Sequence, residues 1–238
     1  MTLDPVATLM LDEAGDLGAR VLVLDEPSLA NHLRSAGHDV VAVCDDLLEE
    51  RRLDGDPARL DEQALAGVEV VLLRLPKSLG MLEDYAQRIA AWGGPQVRVV
   101  AGGREKHLTR GMNDVLASSF ADVHASRGRQ KSRVLHAAGA LPGPRTWPRT
   151  TQVDWLALTV VSHGGVFASG RLDAGTRLLI SALGQARTGR AVDLGCGTGL
   201  VASWLARRGD QVLAVDTSLA ACESTRDTAA ANGLTVEV

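Results

Sequence analysis

Seven residues near the C-terminus, Asp193, Leu194, Gly195, Cys196, Gly197, Thr198 and Gly199, combine a carboxylate with three alternating glycines. Glycines so spaced let a chain turn sharply and pass close to a ligand, because no Cβ stands in the way. The apolar residues before Asp193 read as a strand. The segment from about Leu200 to Arg208 reads as a helix whose free N–H groups point at the turn. A second strand then ends in Asp216 and Thr217. Asp216 falls 21 residues after Gly195, where an acid can accept both hydroxyls of a ribose. Strand, acid, GxGxG, helix, strand and acid together predict one half of a nucleoside-cofactor site.

The spacing argues for one ligand class. A dinucleotide fingerprint is GxGxxG, and a Walker phosphate loop needs GK[ST] after the turn. This sequence has neither, and Asp193 would repel a pyrophosphate. An acid there suits a cationic or zwitterionic ligand, such as the amino-acid part of S-adenosylmethionine. Methyl-donor binding is therefore expected, ahead of a dinucleotide or a relic that binds nothing. Cys196 is expected to pack rather than attack, since no base is evident beside it.

The elements needed to hold such a site are legible along the chain. Short apolar runs at Val21–Leu24, Val40–Val43, Val68–Leu73 and Val97–Ala101 alternate with helical segments, which predicts a mainly parallel α/β sheet. The run at Val97–Ala101 is expected to end in Gly102 and Gly103, and a helix is expected over Leu108–Phe120. The Pro- and Gly-rich stretch of residues 141–152 reads as a linker. The expected organisation is a domain over 1–140, that linker, and a second domain over 153–238. Trp147 and Trp155 are expected to pack at this junction. Leu33–Asp45 also parallels Leu205–Thr217, with Gly37 matching Gly209 and Val43 matching Val215. This reads either as an ordinary βαβ pattern or as two related domains. In the second case the first copy has lost its glycines, and Asp25 and Glu26 stand at its turn, so it should hold no ligand.

The segments VDLGCGTG and VLAVDTS resemble motifs I and II of class I S-adenosylmethionine-dependent methyltransferases. GGVFASGRLDAGTRLLISAL, residues 164–183, resembles a segment of the bacterial ribosomal RNA guanine-N2 methyltransferases, which carry two tandem methyltransferase-like domains. VVLLRLPKS and GRQKSRVLHA resemble parts of their degenerate N-terminal domain. The resemblance implies a Rossmann-like fold with a degenerate N-terminal copy and an incomplete C-terminal copy. It implies S-adenosylmethionine as cofactor, ribosomal RNA or a ribosomal subunit as partner, and Phe167 and Thr176 in the donor pocket. Phe167 as a plain core residue and Asp173 as a helix cap remain open.

Enzymes that methylate exocyclic amines present an Asn-Pro-Pro-aromatic motif to an extruded base. The asparagines here are Asn31, Asn113 and Asn232, and none precedes proline. No catalytic residue is assigned, and Leu234–Val238 reads as the onset of a third strand. The chain thus reads as a truncated methyltransferase, with poor stability expected after about residue 165. The alternatives are a fragment of a small-molecule or protein methyltransferase, or a non-catalytic RNA-binding accessory protein.

Composition narrows the rest. Hydrophobic residues make up 45% of 238, enough for a real core. Three unpatterned cysteines and six histidines show no metal-ligand spacing, so no metal is expected. No apolar run approaches the length of a membrane span and no signal peptide opens the chain, so a cytoplasmic protein is expected. Net charge is −4, yet ten Arg and Lys residues fall between Arg98 and Arg149. Four of them, Arg127, Arg129, Lys131 and Arg133, favour RNA, with an ordinary solvated face as the alternative.

Overall fold

The computed structural model describes residues 2–141, 143–166, 174–184 and 189–238. The chain forms two compact units, Met1–Arg145 and Thr146–Val238.

The first unit runs α1 (Pro5–Ala14), β1 (Arg20–Leu24), α2 (Pro27–Ser35), β2 (Asp39–Val43), two single turns α3 (Leu47–Glu50) and α4 (Glu62–Leu65), β3 (Val70–Arg74), α5 (Leu79–Trp92), β4 (Arg98–Arg104), α6 (Arg110–Ala117), β5 (Phe120–Ala125) and β6 (Ser132–Ala140). One sheet orders them β2-β1-β3-β4-β6-β5. The first four strands are parallel, and β6 enters antiparallel between β4 and β5. The apolar runs have no polar alternation because both faces are covered. On β1, Leu22 and Leu24 join the core shared with α5 and α6, while Val21 and Val23 join the core shared with α1 and α2.

Two expectations need correction here. The β4 strand does not end in Gly102 and Gly103 but runs one residue further, to Arg104. Its glycines answer to packing: a Cβ on Gly102 would lie 2.3 Å from Met10 Cγ of α1, so the bare backbone makes room for that helix. The expected helix over Leu108–Phe120 covers only Arg110–Ala117, and the buried Phe120 opens β5 instead.

The second unit runs β7 (Arg149–Val153), β8 (Leu158–Ser162), α7 (Ala174–Leu183), β9 (Arg190–Leu194), α8 (Leu200–Arg207), β10 (Gln211–Val215) and α9 (Leu219–Ala231). The hairpin of β7 and β8 starts inside the stretch read as a linker. β9 and β10 are parallel, and Glu237 bridges Leu213 in parallel register, as the onset of a further strand would. One face of this pair packs on α8. The other is open, with Leu194 82% and Val192 63% exposed. Trp147 is buried with Arg149 stacked on its ring, whereas Trp155 is exposed, against the expectation that it packs.

A polar ladder joins α9 to β8. Ser224 Oγ accepts the His163 N–H at 2.9 Å. Thr228 Oγ1 accepts the Val161 N–H at 2.9 Å and donates to the Val161 carbonyl at 3.1 Å. The Asn232 amide accepts the Thr159 N–H at 2.9 Å and donates to its carbonyl at 2.6 Å. The register matches because four helical residues rise about 6 Å and two strand residues about 6.6 Å. Polar side chains on a helix here do the work of a neighbouring strand and cover an edge.

Candidate functional site

The glycine turn sits at the carboxyl ends of β9 and β10, the end at which open α/β sheets bind ligands. The turn is pinned to the second strand: the Gly195 and Cys196 N–H groups both donate to the Val215 carbonyl, at 2.8 and 3.1 Å. Gly195 and Gly197 take left-handed φ values of 77° and 54°. Gly199, at φ 73°, is the N-cap of α8 and offers no side-chain cap. A Cβ there would lie 2.7 Å from Thr225 Cα on α9, so the turn closes only with glycine at this position.

The two acids flank this turn and build it. Asp193 reaches across from β9 and accepts the Ala202 N–H at 3.0 Å, replacing the missing cap of α8. Asp216 accepts from the Gly197 N–H at 3.1 Å through one oxygen and from the Ser218 N–H at 3.0 Å through the other. Burial raises the Asp193 carboxyl above its usual range and the Asp216 charge adds to this, while the Ala202 N–H acts in the opposite direction. Among the described residues neither carboxylate has a cationic partner. Two acids in mutual range with no counter-ion form a site for positive charge and for hydroxyl or amine donors.

The structure therefore brings together Asp193, Gly195, Cys196, Gly197, Thr198, Gly199, Asp216 and Thr217. Thr198 is half-buried in the turn and Thr217 is exposed beyond β10. Thr176 lies in the first turn of α7, and Phe167 and Asp173 fall outside the described residues. Cys196 is buried, its Sγ accepts from the Thr225 hydroxyl at 3.1 Å, and burial pushes the thiol up to about 11, which suits packing and not attack. Thr225 was invisible to motif reading. It supports the turn from α9, and its hydroxyl also reaches the Gly197 carbonyl at 3.3 Å.

Two family models match the chain. The methyltransferase small domain covers residues 157–238 and the RLMG N-terminal domain covers residues 47–140. The ribosomal RNA large subunit methyltransferase G of Pseudomonas putida is 33% identical over 235 residues, spanning 91% of this chain and 63% of that protein. Its counterpart in Pseudomonas paraeruginosa is 35% identical over 171 residues, spanning 70% of this chain and 46% of that protein. This chain resembles the two-domain bacterial ribosomal RNA guanine-N2 methyltransferases. It spans about half the length of the curated relatives it matches. A solved 16S ribosomal RNA N2 methyltransferase of T. thermophilus, in complex with AdoMet and guanosine, superposes with TM-score 0.76 at 22% identity over 98% of this chain and 68% of that one. The fold is thus that of a Rossmann-like methyltransferase, with an N-terminal accessory domain and a C-terminal catalytic-like domain. Among the described residues no helix is long and apolar enough to cross a membrane, and no cluster of three metal-ligating side chains occurs.

Proposed function

We propose that this chain is an S-adenosylmethionine-dependent N-methyltransferase acting on a guanine exocyclic amine of ribosomal RNA. In this reading the second unit, from about residue 153, binds the donor and the first serves the RNA. The observation that carries the proposal is the pair of carboxylates, Asp193 and Asp216, set around the glycine turn with no counter-ion among the described residues. Their chemistry fits the donor: Asp193 faces its positive charge and Asp216 its ribose hydroxyls. Gly195, Cys196, Gly197, Thr198 and Gly199 bring backbone close to it, with Thr217, Phe167 and Thr176 completing the lining. Bound there, S-adenosylmethionine would supply an electrophilic methyl group on a sulfonium. Positioning and charge matching are most of what such a transfer asks of a protein. No residue of this chain is assigned to orient the acceptor amine.

The first unit supports the same reading as a degenerate copy. Asp25 follows β1 as Gly195 follows β9. Each takes a left-handed φ, 57° and 77°, and each donates its N–H to the last carbonyl of the neighbouring strand, Val43 or Val215, at 2.8 Å. A non-glycine residue in that conformation is uncommon. Between strand and helix only Asp25 and Glu26 remain, where the second unit has five residues. Cys44, the residue after β2, stands where Asp216 follows β10. The space is taken up by the chain's own groups: the Tyr85 hydroxyl donates to Asp25 at 3.0 Å, and Arg74 pairs with Glu26 and Asp4.

Calorimetric titration of S-adenosylmethionine into the chain tests the donor site. Micromolar binding is expected, lost in Asp216→Ala and weakened at least tenfold in Asp193→Asn, which keeps an acceptor for Ala202 but removes the charge. No binding by folded chain, or binding indifferent to both changes, would overturn the assignment.

A further inference from the structure

The carboxyl end of the first unit's sheet is divided by charge. Over β1 and β2 it carries Asp25, Glu26, Asp45, Asp46 and Glu49. Over β4, α6 and the β5–β6 turn it carries Arg104, Lys106, Arg110, Arg127, Arg129, Lys131 and Arg133. Some of these cations are engaged: Arg129 with Asp12, Arg133 with Glu105 at 3.2 Å, and Arg104 with the Gln130 carbonyl. Lys106, Arg110, Arg127 and Lys131 are exposed and have no ion pair among the described residues.

An open cavity of about 410 Å³ lies among them, lined by Glu105, Thr109, Arg110, Asn113, Arg133 and Leu135 with two neighbours. Three of its polar side chains have no partner among the described residues. Thr109 is the N-cap of α6 but makes no side-chain cap bond, and neither Arg110 nor Asn113 has an intramolecular hydrogen bond. Glu105, the one acid in the lining, is turned to Arg133 and lies against Gly128, where a Cβ would meet its Oε1 at 2.0 Å. That leaves Arg110 unneutralised.

The adjoining turn is strained in a way that presents charge. Gln130 and Lys131 take φ values of 51° and 59° in succession. A two-residue hairpin turn of this hand favours Asn and Gly, and side chains with a Cβ pay for it. The Arg129–Ser132 pair and the Glu105 N–H to Lys131 carbonyl bond of 3.0 Å hold it. Strain kept at an exposed basic turn points to function.

We propose that this cavity takes one nucleotide of a single-stranded RNA segment. Arg110 and Thr109 hold its phosphate, Asn113 hydrogen-bonds its base or ribose, and Lys106, Arg127 and Lys131 take the flanking phosphates. Among the described residues no aromatic side chain lines the cavity, so the guanidinium planes offer the stacking surface. The acidic end over β1 and β2 keeps the strand on the β4 side. The inference rests on the RNA part of the function proposed above and gives it a place.

The test is fluorescence anisotropy of a labelled oligouridine 12-mer with the full 238-residue chain, across a salt series. Arg110→Ala should weaken binding at least fivefold and lower the salt slope by about one. Asn113→Ala should weaken it about threefold with the slope unchanged. Arg51→Ala, at the acidic end, should match the parent. If Arg110→Ala and Asn113→Ala bind as the parent does while Lys131→Ala is weakened, the cavity is not the site although the RNA reading stands. Equal competition by polyglutamate would overturn the choice of ligand. A parent chain that binds S-adenosylmethionine but no RNA would overturn both the cavity and the RNA half of the proposed function, leaving the donor site intact.

Discussion

Thr228→Val is the sharpest probe of how the second unit is held together. The change is nearly isosteric, and it makes a fully buried side chain more apolar. On burial alone it should stabilise by roughly 0.8 kcal/mol, the worth of about one methylene. The structure argues the opposite. Thr228 Oγ1 is both acceptor for the Val161 N–H and donor to the Val161 carbonyl, and among the described residues β8 has no strand on that side to replace it. Leaving a buried donor unpaired costs about 1–3 kcal/mol. Taking about 2–3 kcal/mol for the partly buried pair, less the apolar gain, Thr228→Val should destabilise the second unit by about 1–2 kcal/mol. Urea unfolding followed by Trp204 fluorescence reads the stability, and hydrogen exchange reads the Val161 amide directly. That amide should exchange at least tenfold faster in Thr228→Val and near the parent rate in Thr228→Ser, which keeps the hydroxyl. A valine variant as stable as the parent, with Val161 equally protected, would refute the ladder.

Four further expectations follow from single residues. Gly199→Ala places a Cβ 2.7 Å from the Thr225 backbone at a left-handed φ, so the second unit should lose about 2–4 kcal/mol and all donor binding; a calorimetric trace like the parent's would contradict this. Burial raises the Asp25 carboxyl to about 6 from 3.8, with the Asp45 N–H and Tyr85 hydroxyl acting against it. Its stabilising contribution is therefore full below about pH 4 and lost as pH rises through about 6. Asp25→Asn should remove that pH dependence and stabilise the first unit at pH 7.5 by at most about 3 kcal/mol, and urea titrations at pH 4, 6 and 7.5 would show it. Affinity for a cationic donor should rise with pH through the raised Asp193 carboxyl range, because only the ionised acid attracts it; a flat calorimetric pH series would count against Asp193 as the counter-charge. With iodoacetamide at pH 8, Cys222 should label first, since burial pushes the Cys44 and Cys196 thiols to about 12 and about 11, and peptide mass spectrometry reports the order.

How far the sequence could be read depended on whether the signal was local. The glycine turn with its two acids spans 24 residues of one strand–helix–strand unit, so type and spacing were enough to place Asp193, Gly195, Gly197, Gly199 and Asp216 together. The parallel sheet of the first unit was legible for a similar reason, because strands covered on both faces leave unbroken apolar runs such as Val70–Leu73. The path of β4 was not, since Gly102 and Gly103 look like a stop until α1 is seen lying on them. The Asp25 equivalence to Gly195 was only half visible: the aligned glycines suggested a repeat, but the left-handed φ and the shared bond to the next strand are properties of the backbone.

By itself, then, the sequence determined the α/β class, the glycine turn with its two acids and the charge available to each half, because these follow from residues close along the chain. Only the tertiary structure decided that the polar face of α9, with Ser224, Thr228 and Asn232, turns inward. Such a stripe reads as solvent-facing on any helix taken alone. It is buried because the β8 edge carries N–H and C=O groups that burial obliges the fold to satisfy, and a strand edge 61 to 73 residues away leaves no mark on the helix sequence. The cavity beside Arg110 was decided in the same way, by an antiparallel β6 and a strained turn that bring residues 105–113 and 125–135 to one place.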